Sequence, residues 1–135
     1  MSVTNAHEDE SVLGRLMSVI EDRKKNPPER SYTTSLFAGG VTKIGAKIAE
    51  EAAEVVEAAG ESGPDGRQHL VCEAADLIYH LLVMLGHRDI PLAEVEAELA
   101  RRFGISGLDE KAAREQSKIA ATVSTWRASW EHRYA

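Results

Sequence analysis

Cysteine is nearly absent from this 135-residue chain. With Cys72 alone there is no intrachain disulfide, no cysteine-rich zinc site and no CxxC redox pair. Aromatic residues make up only 5%, and positive charge is in deficit, with 16 Lys and Arg against 22 Asp and Glu. The resulting formal charge of −6 argues against broad binding of nucleic acid or of an anionic membrane. An anionic small molecule stays open, because a bound divalent metal reverses the local sign. No long apolar run is uninterrupted. The stretch 69–85 is broken by Glu73, Asp76 and His80 and makes a poor membrane span. The opening MSVTNAHEDE is polar and acidic, unlike a secretion signal or a transit peptide. There is no glycine-rich phosphate loop, no dinucleotide fingerprint and no segment alternating with a period of two. These absences lead to the expectation of a cytoplasmic, all-α domain.

What the chain does have is helical periodicity. Residues 1–10 read as a flexible arm, 11–115 as one domain and 116–135 as an amphipathic extension of unassigned role. Ser11 caps a first helix, which Pro27 and Pro28 end. A short helical piece after Thr33–Thr34 stops at Gly39-Gly40. A second long helix covers about 41–59 and a third about 67–85. Pro91 opens a fourth, and Gly104 closes it. In the tail, Ile119, Val123, Trp126 and Trp130 form one apolar stripe on a last helix.

The second helix puts Val41, Ile44, Ile48, Val55 and Ala59 on its expected buried face at 100° per residue. Lys43, Lys47, Glu50, Glu54, Glu57 and Glu61 fall opposite, and Glu51 lies at the core margin, where a carboxylate needs a partner. The third helix is apolar nearly all round, which marks burial in a core or against another subunit. Its one polar stripe is His69, Glu73, Asp76 and His80. Cys72, away from that stripe, reads as a small core residue.

Acids one turn apart on such a helix repel one another and require a compensating cation. A buried salt bridge to Lys43, Lys47 or an arginine is the plain solution. A hard divalent ion explains more, since Glu50-Glu51-x-x-Glu54 and Glu73-x-x-Asp76 would converge several oxygen ligands from two packed helices. Magnesium held this way keeps positions for water and phosphate oxygens. His69 and His80 border the stripe as supporting or core residues rather than as ligands of a hard metal. Arg30-Ser31-Tyr32-Thr33 offers guanidinium and hydroxyl donors just before the acidic helices.

The pattern EExxE followed by ExxD on adjacent helices resembles the all-α nucleoside-triphosphate pyrophosphatases, the MazG-like superfamily. Within it, VIEDRKKNPPERSYTTSLFAGGVTKIGAKIAEEAAEVVEAA, EAADLIYHLLVML and ELARRFGISGLDEKAAR resemble the phosphoribosyl-ATP pyrophosphohydrolases of histidine biosynthesis. The resemblance implies a homodimer or larger assembly of four to five helices per chain, with a four-helix-bundle-like core. It also implies magnesium-dependent cleavage of phosphoribosyl-ATP to phosphoribosyl-AMP and pyrophosphate. By the same resemblance Glu50, Glu51, Glu54, Glu73 and Asp76 are the metal ligands. Lys43, Lys47 and Arg30, with Tyr32, become candidates for the substrate. Glu51 and Glu54 are the candidates for taking a proton from the attacking water. Many relatives carry a fused cyclohydrolase domain, for which this chain has neither the length nor the cysteines, and 116–135 matches no family pattern. Two rival readings remain open: a house-cleaning pyrophosphatase for other nucleotides, and a non-catalytic dimerisation module.

Overall fold

The computed structural model describes residues 11–103, and every regular element among them is an α-helix. Helix α1 spans Val12–Lys25. The Ser11 hydroxyl accepts from the Gly14 amide at 3.0 Å, satisfying one of the otherwise unpaired first-turn donors. Its last turn carries Arg23, Lys24 and Lys25 against the negative end of the helix dipole, and Pro27 lies just beyond its Asn26 cap.

Helix α2, Tyr32–Ala59, is broken at Gly40, where φ is +63° and ψ −158°. Only glycine adopts that backbone readily. The break reverses the chain. Before it, Tyr32 and Thr33 meet His80 and Tyr79, while Phe37 stacks on His87 at 6.4 Å, so this stretch runs parallel to the third helix. After it, residues 41–59 run antiparallel to the same helix. The expected short piece ending at Gly39-Gly40 is therefore present, folded back along the body of the protein.

Helix α3, Gly63–His87, begins a turn earlier than periodicity indicated, with Pro64 in its first turn and Asp65 near its positive end. At its other end Asp89 takes φ +56°, while the Asp89 amide donates to Gly86 O and the Ile90 amide to Leu85 O at 2.9 Å. That is the Schellman arrangement, with aspartate in the position glycine usually takes. The Lys24 ammonium compensates, donating to Gly86 O, His87 O and the Asp89 carboxylate at 3.2, 3.0 and 2.7 Å.

Met17, Ile20, Leu36, Ile44, Leu82 and Val83 form the buried core, flanked by Leu16, Phe37, Ile48, Tyr79, Met84, Leu85 and Leu92. Gly86 lets α1 approach α3 closely, because a Cβ there would sit 3.1 Å from Ile20. Helix α4, Leu92–Arg102, leaves this body at Val95 and enters a second unit. There Glu98 accepts from Arg101 and Arg102 at 2.8 and 3.0 Å, which holds its carboxyl down at about 2. Gly104 and the stripe from Ile119 to Trp130 lie outside the described residues.

Three burial expectations need correction. Val41 is 52% exposed and Ala59 is also exposed, because the face of α2 against α3 is 44, 48, 51, 55 and 58. That rotation carries Glu51 inward, leaving it 7% exposed. Cys72 is exposed, beside Val71 on the outer side of α3. A helix apolar all round carries no moment to say which side meets its neighbour. Val71, Ile78 and Leu81 remain exposed on it. Among the described residues α3 is the one helix long and apolar enough to cross a membrane by composition, and one of its sides packs on α1 and α2.

Candidate active site

The second half of α2 and the middle of α3 place Glu51, Glu54 and Glu73 together. One carboxylate oxygen from each lies within 4.8 Å of the others. The i, i+3 spacing brings Glu51 and Glu54 to one side of α2, and antiparallel packing supplies Glu73 across the interface. Oε2 of Glu51 and Oε2 of Glu73 are buried and meet no hydrogen-bond donor. Leaving such atoms unpaired is unfavourable, more so for charged groups. The Glu54 carboxylate first, then Glu51, then burial push Glu73 up to about 7. Three hard oxygen donors crowded together in this way suit a hard divalent cation.

The other two expected ligands lie outside this cluster. Glu50 is exposed and accepts from Lys47 at 3.3 Å, which raises the Lys47 ammonium above its ordinary value. Asp76 is exposed one turn beyond Glu73. Its backbone carbonyl, rather than its carboxylate, accepts a hydrogen bond from His80.

The expected substrate residues Lys43, Arg30 and Tyr32 are all exposed. The Lys43 ammonium reaches back across the Gly40 break to Ser35 O at 3.3 Å. Arg30 is exposed in the turn preceding α2. Tyr32 sits at the first turn of α2, half exposed, and its phenol is raised above its ordinary value by burial, by Tyr79 and by the charges of Glu51 and Glu50, against Lys47. The reversal at Gly40 is what brings Tyr32 into the field of residues on the next helical stretch.

His69 supports the cluster from the side. Its Nδ1 donates to Glu61 at 3.0 Å, and its Nε2 lies 3.4 Å from Glu73. The Glu61 hydrogen bond raises His69 above its ordinary value, with burial opposing and Glu61, Glu73 and Glu57 adding charge. A second polar bridge escaped sequence reasoning. Thr33 Oγ1 hydrogen-bonds the Tyr79 hydroxyl, alongside the Tyr32–His80 bond at 2.9 Å. Tyr79 lies in the apolar run of α3, and the one sequence signal for it is its place beside His80.

Comparison with known proteins gives one consistent result. The family described as phosphoribosyl-ATP pyrophosphohydrolase matches residues 13–103. A protein from Rhodopirellula baltica named phosphoribosyl-ATP pyrophosphatase is 52% identical over 84% of this chain and 94% of its own length. A protein of the same name from Geobacter sulfurreducens is 50% identical, over 82% of this chain and 99% of its own. Another from Dinoroseobacter shibae is 53% identical, over 77% and 99%. The matched region contains all three clustered glutamates.

Proposed function

The chain belongs to the phosphoribosyl-ATP pyrophosphohydrolase family, and from that membership we propose that its glutamate cluster serves the hydrolysis of phosphoribosyl-ATP to phosphoribosyl-AMP and pyrophosphate. This is a step of histidine biosynthesis, which we assign to the cytoplasm. The observation that carries the reading is the pair of buried, donor-less oxygens on Glu51 and Glu73, set with Glu54 on two facing helices.

In this reading Glu51, Glu54 and Glu73 hold magnesium, with Asp76 one turn on and Glu50 at the edge completing the acidic set. The bound ion supplies positive charge that neutralises the phosphates and lowers the pKa of water. Lys43, Lys47 and Arg30 take the phosphate oxygens, for which ammonium and guanidinium groups are suited. Glu51 or Glu54 accepts the proton of the attacking water as the bond between the α- and β-phosphates breaks. Glu54 is the more accessible of the two, since Glu51 is buried.

A homodimer fits the same reading. Val71, Ile78 and Leu81 are 57%, 41% and 48% exposed along one helix, an arrangement that favours a second copy over water.

Pyrophosphate release from phosphoribosyl-ATP, with and without magnesium and beside a panel of deoxynucleoside triphosphates, tests the proposal. Magnesium-dependent release from phosphoribosyl-ATP in clear preference to the panel is the expected result. Equal or faster release from a panel member, or full activity in EDTA, would overturn it.

A further inference from the structure

Among the described residues, His80 is the most buried ionisable side chain outside the glutamate cluster, 4% exposed. Its two ring nitrogens have unequal partners. Nδ1 lies 2.8 Å from the Asp76 backbone carbonyl, which can only accept, so Nδ1 carries the hydrogen. In the neutral ring Nε2 is then left with a lone pair. Nε2 lies 2.9 Å from the Tyr32 hydroxyl, so that hydroxyl must donate. The rings reinforce the arrangement, Tyr32 meeting His80 edge-on at 5.9 Å and lying nearly parallel to Tyr79 at 6.3 Å.

Tyr32 therefore has its one proton committed inward while half of its surface faces solvent. Only oxygen lone pairs remain on the open side. Ionised phosphate oxygens also bring only lone pairs, so they are poor partners for it. A sugar hydroxyl or an exocyclic amine brings a proton and is a good one.

We propose that His80 is a positioning residue, holding Tyr32 as an acceptor that recognises a hydroxyl or amino donor on the nucleoside part of the substrate rather than its phosphates. The substrate half of this statement rests on the function proposed above, whereas the ring-proton assignment stands apart from it. His80 acts through Tyr32, and the two should behave as one unit.

Two measurements on the full chain test it. In the ¹⁵N spectrum of histidine-labelled protein at pH 8, His80 is expected to show a protonated Nδ1 and an unprotonated Nε2. A protonated Nε2 overturns the proposal. In pyrophosphate-release kinetics, Tyr32→Phe and His80→Leu should each raise KM about 3- to 10-fold, the worth of one neutral hydrogen bond. Their kcat should stay within about twofold, and the double variant should be no worse than Tyr32→Phe. His80→Gln, whose amide oxygen can replace Nε2 as acceptor, should recover most of the KM. An unchanged KM in Tyr32→Phe, a fall in kcat alone, or His80→Gln as impaired as His80→Leu overturns the assignment. If His80→Leu does not fold, Tyr32→Phe and the spectrum decide. Absence of any pyrophosphate release by the unaltered protein would count against the proposed function, and the spectrum would still report the ring proton separately.

Discussion

Glu51 and Glu73 face each other across the α2–α3 interface, each burying an oxygen that meets no donor. Both belong to a carboxylate trio gathered within 4.8 Å. Such a trio opposes folding while it lacks a cation, and supports folding once a cation is shared. The first prediction follows from that opposition. At pH 8 and without metal, Glu73→Gln should melt at a higher temperature than the unaltered protein, because a repelled charge is gone. Magnesium should raise the melting temperature of the unaltered protein and leave that of the variant nearly unchanged. Turnover should fall by at least the roughly 10- to 100-fold that losing a group supporting a metal ligand costs. A variant that melts lower than the parent without metal would show that Glu73 is paired in some other way.

The raised carboxyl of Glu73 also sets a pH dependence. In the unfolded chain the group releases its proton near the ordinary carboxylate value, and in the folded chain at about 7. Between those values the folded state binds more protons, so this contribution to stability is fully present below the ordinary value and is lost as pH rises through about 7. Magnesium must displace that proton. Its affinity should therefore increase from pH 6 to pH 8, with proton release that shrinks over the same interval. Calorimetric titration in two buffers of different ionisation enthalpy measures the release. Identical apparent enthalpies in both buffers at pH 6 would contradict it.

Parts of this architecture were legible in the residues and parts were not, for physical reasons. Ser11, Pro27 and Pro28 mark the ends of α1 because capping and the missing proline amide are local effects. Gly39-Gly40 marks a break in the same way, but a glycine pair does not say which way the chain turns. The reversal that returns Tyr32 to α3 depends on the φ of Gly40 and on packing. The acidic stripe was legible from i, i+3 spacing. Which of its members converge depends on how α2 is rotated, and neighbouring Glu50 and Glu51 differ by 100°. Rotation placed Glu51 inside and left Glu50 with Lys47. For α3, apolar on nearly every side, periodicity held no information on the outward face, and Cys72 was misplaced accordingly.

The Gly40 reversal gives a third prediction. With φ +63° and ψ −158°, an added Cβ is strained whatever space surrounds it, and the nearest side chain, His87, lies 3.9 Å away. Gly40→Ala should lose about 1–3 kcal/mol in urea denaturation. Since the reversal aims Tyr32, its KM should also rise. Unchanged stability would mean that the chain turns without a left-handed residue there.

Lys24 joins α1 to the end of α3 through Gly86 O, His87 O and Asp89. Replacing it by methionine keeps the aliphatic stem and removes the donors. The expected loss is about 1 kcal/mol, from hydrogen bonds to the helix-end carbonyls. Amide exchange should quicken at Asp89 and Ile90, whose backbone closes the same helix end. A loss spread evenly through the core, with no local change at those two amides, would assign Lys24 a different role.

The exposed face of α3 makes the last prediction. Ile78 and Leu81 are one turn apart, and Val71 lies two turns before Ile78, so their exposed surfaces form one apolar strip. A second copy would remove that strip from water, at about 25 cal/mol for each square ångström buried. The unaltered protein should sediment as at least a dimer. A charge in the middle of the strip should dissociate it, because an unpaired charge in an apolar interface is strongly unfavourable. Leu81→Glu is therefore expected to sediment as a monomer at micromolar concentration, with exposed Cys72 reacting faster with a thiol reagent than in the parent. Helicity measured alongside separates dissociation from unfolding. An unaltered protein that is already monomeric, or a Leu81→Glu variant that remains associated, would exclude this face as the contact between copies.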